Sequence, residues 1–260
     1  MMHTQVILGL YAAVLCTMVQ SAAPEHMAQI GKKIWHNECG CSKEKLLFWS
    51  PLEPFPSFGI GHFIWYPENY LGPYTQGFPD FVVFARKHKI VVPSWLDGCC
   101  PWRTRDLFYQ SMQSPRMHEL RALLETTIDI QAAYMVEKLH ITIPEIVAGM
   151  PETMRDKART IIAELSIMPQ GLYVLVDYLN FKGSGLNPKE RYNNQGWGIV
   201  QVLEYMIHQN LPATTASFAL AAEQVLRQRV ANAPPGSVDA QRLPGCLNRV
   251  KTYNDNDSFS

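Results

Sequence analysis

The chain has 260 residues, and its 23 Lys and Arg balance 23 Asp and Glu, so it is formally neutral. It lacks the basic excess with which dedicated nucleic-acid binders neutralise phosphates, and no nucleic-acid partner is expected. With 47% hydrophobic residues it is too apolar to stay disordered, and no internal repeat suggests a solenoid or propeller.

The first stretch, 6–19, is apolar and uncharged but shorter than the roughly 20 residues of a membrane-crossing helix. Small residues follow at Ser21, Ala22 and Ala23, which is the pattern of a cleavable signal peptide over 1–23. The protein is therefore expected to be secreted or periplasmic, with no stable membrane span after cleavage. Five cysteines then remain: Cys39, Cys41, Cys99, Cys100 and Cys246. An oxidising compartment permits two disulfides, and Cys39-x-Cys41 facing Cys99-Cys100 is a candidate staple. Metal-ligand spacing is absent in any strong form, and no metal or cofactor is expected.

Residues 24–37 predict a first helix, with Pro24 in the first turn and Glu25 near the positive helix end. Ile30, Ile34 and Glu38 recur at i, i+4 and i+8 and share one face, and Gly40 supplies a stop. Residues 41–110 are rich in Pro, Gly and aromatics, with short apolar runs at 58–66 and 81–84. Short strands, turns and one or two short helices are expected there. Ser114-Pro115 reads as a cap and first-turn proline. The helix that follows carries Leu120, Leu124, Thr127, Gln131 and Tyr134 on one stripe, to about Leu139. Further helices are predicted over 151–166, 170–181 and 196–209, and from Thr214 or Thr215 to Val230. After Ala233-Pro-Pro-Gly236 a loop-rich wrap held in part by Cys246 is expected, then a disordered tail over 251–260. The fold class is α+β, mainly α. One domain is expected over 24–250, with a small irregular or β lobe at about 40–110 and a helical lobe at about 114–232.

The chemistry concentrates between Trp35 and Tyr66. A carboxylate on the core-facing stripe at a helix end, Glu38, is half buried by geometry. Burial disfavours the charged form, which suits a general acid. Downstream, Ser57-Phe58-Gly59-Ile60-Gly61-His62 has glycines that allow a tight turn and close backbone approach to a ligand. No nucleophile elbow, P-loop or dinucleotide fingerprint is present.

The order helix, Glu38, loop, S-F-G-I-G-H resembles the phage-type lysozymes, in which a Glu ending the first helix precedes a [TS]-[IVF]-G-[IY]-G-H signature. Here Glu38 precedes His62 by 24 residues. Leu175-Val-Asp-Tyr-Leu-Asn-Phe-Lys-Gly183 resembles the A-L-V-S-F-x-[FY]-N-x-G helix of the same family. The resemblance implies a lysozyme-like fold with Glu38 as proton donor. Ser57 would position a water or the substrate, Gly59 and Gly61 shape the hairpin, and His62 supports it. Asn180 would lie in the floor of the sugar cleft. Glu53 is the candidate second carboxylate, with Glu44 as the alternative. Asp177, one helical turn before Asn180, and Trp197, between Gly196 and Gly198, are candidate cleft residues. The implied activity is an exported, muramidase-like glycoside hydrolase. It would cleave β-1,4 bonds of bacterial peptidoglycan or a related N-acetylhexosamine polymer. Two alternatives stay open: a catalytically inactive glycan-binding protein on the same fold, and a lytic-transglycosylase-type mechanism using a single Glu.

Overall fold

The computed structural model describes residues 24–72 and 74–254. The expected signal peptide and residues 255–260 of the expected tail lie outside them. The architecture is mainly helical with a small antiparallel three-stranded sheet. Among the described residues no single helix is long and apolar enough to cross a membrane. The chain forms two compact units, one of Met27–Met135 and one that begins at Val136 and takes in residues 24–26.

The first unit opens within α1 (Pro24–Cys39), whose Ile30 and Ile34 are fully buried. Gly40 ends it in the left-handed conformation, φ 60°, its N–H donating to the His36 carbonyl at 2.8 Å. Strands β1 (Leu47–Phe48), β2 (Ser57–Phe58) and β3 (Phe63–Ile64) pair in that order. Leu47 faces Phe58, and Phe58 faces Phe63. The Phe58 ring is the hub of an aromatic core, 4.9 Å from Phe78, 5.7 Å from Trp65 and 6.1 Å from Phe108 between centroids. Trp65, Tyr66 and Trp102 are core, and Trp95 keeps partial exposure.

The 81–84 run forms one of the short helices expected within 41–110. It lies in α2 (Gly77–Lys87), where Phe78, Phe81, Val82 and Ala85 bury one face at helical spacing. A short helix, α3 (Arg105–Gln110), follows. Ser114 caps α4 (Pro115–Thr126) by accepting from the Met117 N–H. The single long helix expected from 114 to about 139 is two helices. The chain leaves helical geometry at Thr127 (φ −122°, ψ 29°) and resumes as α5 (Ile128–Ala148). All five stripe residues are nevertheless buried, because they line one face on both sides of the break.

The second unit holds α6 (Glu152–Ile167), α7 (Pro169–Lys182), α8 (Ile199–His208), α9 (Thr215–Ala231) and α10 (Asp239–Lys251). Every residue of α7 from Gln170 to Tyr178 is buried, which marks a central helix. Thr214 caps α9 by accepting from the Ser217 N–H. The expected loop-rich wrap after Gly236 is instead the helix α10. Residues 252–254, expected as tail, form a 3₁₀ turn that buries Tyr253 completely. Its ring meets Phe218 and Tyr173 at 6.1 and 5.8 Å, so apolar packing orders this end of the chain.

Candidate functional site

In the first unit, two elements that carry predicted site residues dock on one turn of α5. Gly31 of α1 sits so close to Ile128 and Ala132 that an added Cβ would lie 2.8 Å from the Ile128 carbonyl oxygen. That contact fixes α1, and Glu38 lies half-buried in its last turn.

The β2–β3 turn, Gly59-Ile60-Gly61-His62, closes with the His62 N–H donating to the Gly59 carbonyl at 3.2 Å. Gly59 has φ 73°, and a Cβ there would collide with the Gln131 side-chain oxygen. The absence of that Cβ lets the Ile60 N–H donate to Gln131 Oε1 at 2.9 Å. Gln131 Nε2 in turn donates to the Leu124 carbonyl at 2.7 Å, a group left without its helical partner by the break at Thr127. A fully buried Gln131 thus ties the hairpin tip to the α4–α5 corner. Its place on the buried stripe was legible in sequence. Its partners were not.

Ser57 is buried in β2, and its hydroxyl makes no hydrogen bond to any described residue. Gly61 is buried beside the Phe63 ring, and His62 (φ 49°) stacks on Phe48 at 6.1 Å and 22°. Glu53 is exposed on the loop between β1 and β2, where its backbone carbonyl accepts from the Trp49 indole at 2.8 Å. Glu44 is also exposed, and a hydrogen bond from the Ser42 hydroxyl holds its carboxyl below the usual range.

The candidate staple is not formed: Cys41, Cys99 and Cys100 carry free thiols, as does Cys246. Cys100 is buried with its thiol toward the Trp102 carbonyl, and burial pushes its pKa up to about 12.

Asp177, Asn180 and Trp197 belong to the second unit, and they do not share one polar face. Asp177 is fully buried and bound by Arg249, through Nε at 2.9 Å and Nη2 at 2.8 Å, and by the Tyr253 hydroxyl at 2.7 Å. Both its oxygens are engaged inside the protein, so it cannot serve an open cleft. Asn180, one turn on, is exposed.

Trp197 is set by the loop that follows α7. Its carbonyl accepts from the Tyr178 hydroxyl at 2.9 Å. Gly198 lies against Gly185 with no room for a side chain, and its N–H donates to Gln201 Oε1 at 3.0 Å. The Trp197 ring lies 4.1 Å from Lys182 Nζ and 4.2 Å from the Arg229 guanidinium, both of them cation–π contacts. Arg191 and Tyr192 serve the same wall. Arg191 donates to the Gly185 carbonyl at 3.2 Å, and Tyr192 lies 3.3 Å under Arg229.

These groups border a hollow with about 50 Å³ of enclosed space that opens to solvent. Lys182, Arg229, Arg242, Asp239, Cys246 and Trp197 supply its polar and aromatic lining, and Leu226, Val230 and Leu243 its apolar wall. Arg229 Nε is 3.6 Å from Asp239 Oδ2, and both side chains are nearly enclosed. Lys182 Nζ is 3.5 Å from Cys246 Sγ. Burial draws the Lys182 ammonium below its ordinary range, opposed by the neighbouring Cys246 thiol. Sequence reasoning named Trp197 as a candidate cleft residue and gave no signal for Lys182, Arg229, Arg242 and Cys246 beside it. Among the described residues no three His, Cys, Asp or Glu side chains cluster as metal ligands would.

Compared with known proteins, the chain matches no family model, no curated protein and no solved structure.

Proposed function

We propose that the protein is an exported glycoside hydrolase of lysozyme-like type, acting on peptidoglycan or a related β-1,4-linked N-acetylhexosamine polymer. One observation carries this reading. The helix ending in half-buried Glu38 and the glycine hairpin beginning at Ser57 are both docked on the Ile128–Ala132 turn of α5. A carboxyl group and a free hydroxyl are thereby held on elements with a common anchor, as positioned acid catalysis requires.

In this mechanism the Glu38 carboxyl donates its proton to the glycosidic oxygen. The bond from that oxygen to the anomeric carbon breaks, and positive charge builds on the sugar ring. Ser57, whose hydroxyl has no described protein partner, orients the incoming water. Asp177 drops out as a sugar-binding candidate because Arg249 and Tyr253 occupy it. Glu53 would have to act from an exposed loop. That placement favours a second reading, in which Glu38 works alone and a hydroxyl of the substrate replaces water, leaving an anhydro end.

The test is mass spectrometry of the products from purified peptidoglycan with the wild-type protein and Glu38→Gln. Soluble fragments from the wild type alone support the hydrolase, and reducing against anhydro ends separate the two mechanisms. No fragments from either protein, with binding to the wall retained, replaces it with a glycan-binding module.

A further inference from the structure

The hollow in the second unit combines features that the hydrolase reading does not use. Three cations line it against one carboxylate, and that carboxylate already faces Arg229. Lys182 and Arg242 have no carboxylate within ion-pair distance among the described residues. A half-buried ammonium without a counter-ion is unfavourable, and an incoming anion relieves it. The opposite wall is apolar, and the indole of Trp197 provides a flat surface. The enclosed part, about 50 Å³, takes an anionic head group, and the rest of the hollow opens to solvent, where an apolar body can lie against the wall.

We propose that this hollow binds a small organic anion, its carboxylate or phosphate held by Lys182 and Arg242 and its apolar body on Trp197, Leu226 and Leu243. Arg229 is a positioning residue. Held by the Glu190 carbonyl at 2.6 Å and by Asp239, it stacks on Trp197 and keeps the indole in place. The occupant covers Cys246, which lines the same space and bears a free thiol. The proposal stands independently of any activity at Glu38.

Cys246 is a built-in reporter. The full-length protein is alkylated with iodoacetamide, and each cysteine is followed by peptide mass spectrometry. The additives are benzoate, phenyl phosphate, inorganic phosphate or neutral benzamide. Benzoate or phenyl phosphate at millimolar concentration should slow alkylation of Cys246 saturably, by about tenfold, and leave Cys99 unchanged. Whichever protects better identifies the preferred head group. Benzamide should not protect, and inorganic phosphate should protect less than phenyl phosphate. Arg242→Gln alters an exposed side chain, and should raise the half-protecting concentration about tenfold while alkylation without additive stays the same. Lys182→Gln should raise the half-protecting concentration likewise, judged against its own rate without additive, since Lys182 Nζ touches Cys246 Sγ. Equal protection by benzamide, no protection by either organic anion, or full protection in both variants overturns the proposal. Equal protection by inorganic and phenyl phosphate removes the organic body from it.

Discussion

Arg249 grips Asp177 across 72 residues of chain, donating Nε and Nη2 to the two oxygens of a carboxylate that has no exposure. The Tyr253 hydroxyl adds a third bond to the same group, at 2.7 Å. The pair joins the central helix α7 to α10, and the final 3₁₀ turn follows at once. It adds an ionic tie to the apolar packing that holds residues 252–254.

Removing one partner leaves the other charged and buried. Arg249→Met should therefore destabilise the protein by about 3–5 kcal/mol, read as a lower urea midpoint. Asp177→Leu combined with Arg249→Met should recover much of that loss, because two apolar groups need no counter-charge. Tyr253→Phe should cost about 1.5–3 kcal/mol, the range for a hydrogen bond to a charged group. A variant Arg249→Met with wild-type stability would refute this account of the clamp.

Gly59→Ala combines a left-handed φ with a Cβ aimed at Gln131. The backbone strain alone is worth about 1–2 kcal/mol, and displacing Gln131 frees the Ile60 N–H as well. Thermal unfolding should drop clearly, and amide exchange at Ile60 should accelerate. Gln131→Leu should give the same exchange signature, since it leaves the Ile60 N–H and the Leu124 carbonyl without partners.

The neighbouring thiols should differ sharply. Cys99 is exposed, whereas Cys100 is buried with its pKa pushed up to about 12. At mildly alkaline pH, iodoacetamide should label Cys99 in the folded protein and reach Cys100 only after unfolding. Comparable labelling rates at both positions would contradict the burial of Cys100.

Glu204 supplies a pH test. Burial raises its pKa, against the pull of His208 and Arg191. The folded state therefore holds this proton more tightly than the unfolded state does. The contribution is present below the unfolded value, about 4.3, and is lost as pH rises through the folded value. The stability difference between wild type and Glu204→Gln should thus move against the wild type over that window. Urea midpoints of both proteins across pH 4–8 check it, and parallel curves would show that no shift exists.

Local signals carried the helices well. Ser114 and Thr214 cap their helices as their hydroxyls suggest, and Gly40 ends α1. Capping and termination involve neighbours within about one helical turn, so they are written in a short stretch of residues. The 81–84 run alone does not choose between strand and helix, because a short apolar stretch fits a strand and a buried helix face equally. The chain after Gly236 misled because Pro244 and Gly245 read as helix breakers, yet α10 carries both. Its apolar face and its grip on α7 outweigh that propensity. At the candidate site, the half-burial of Glu38 and the turn at Gly59 were legible, because helix period and glycine chemistry are local. The exposure of Glu53 depends on the path of a proline-rich loop, which no periodicity encodes.

By itself, then, the sequence determined the mainly helical class, most of the helix boundaries and the glycine hairpin. Each depends on interactions among residues close in the chain. Tertiary structure alone decided that Asp177 is a buried anchor and that Cys41, Cys99 and Cys100 remain thiols. It alone gathered Lys182, Trp197, Arg229, Arg242 and Cys246 around one hollow. Ion pairing, burial and cavity shape depend on which distant segments meet, and each of these side chains taken singly is compatible with many partners. Only the packing of α7, α9 and α10 selects among them.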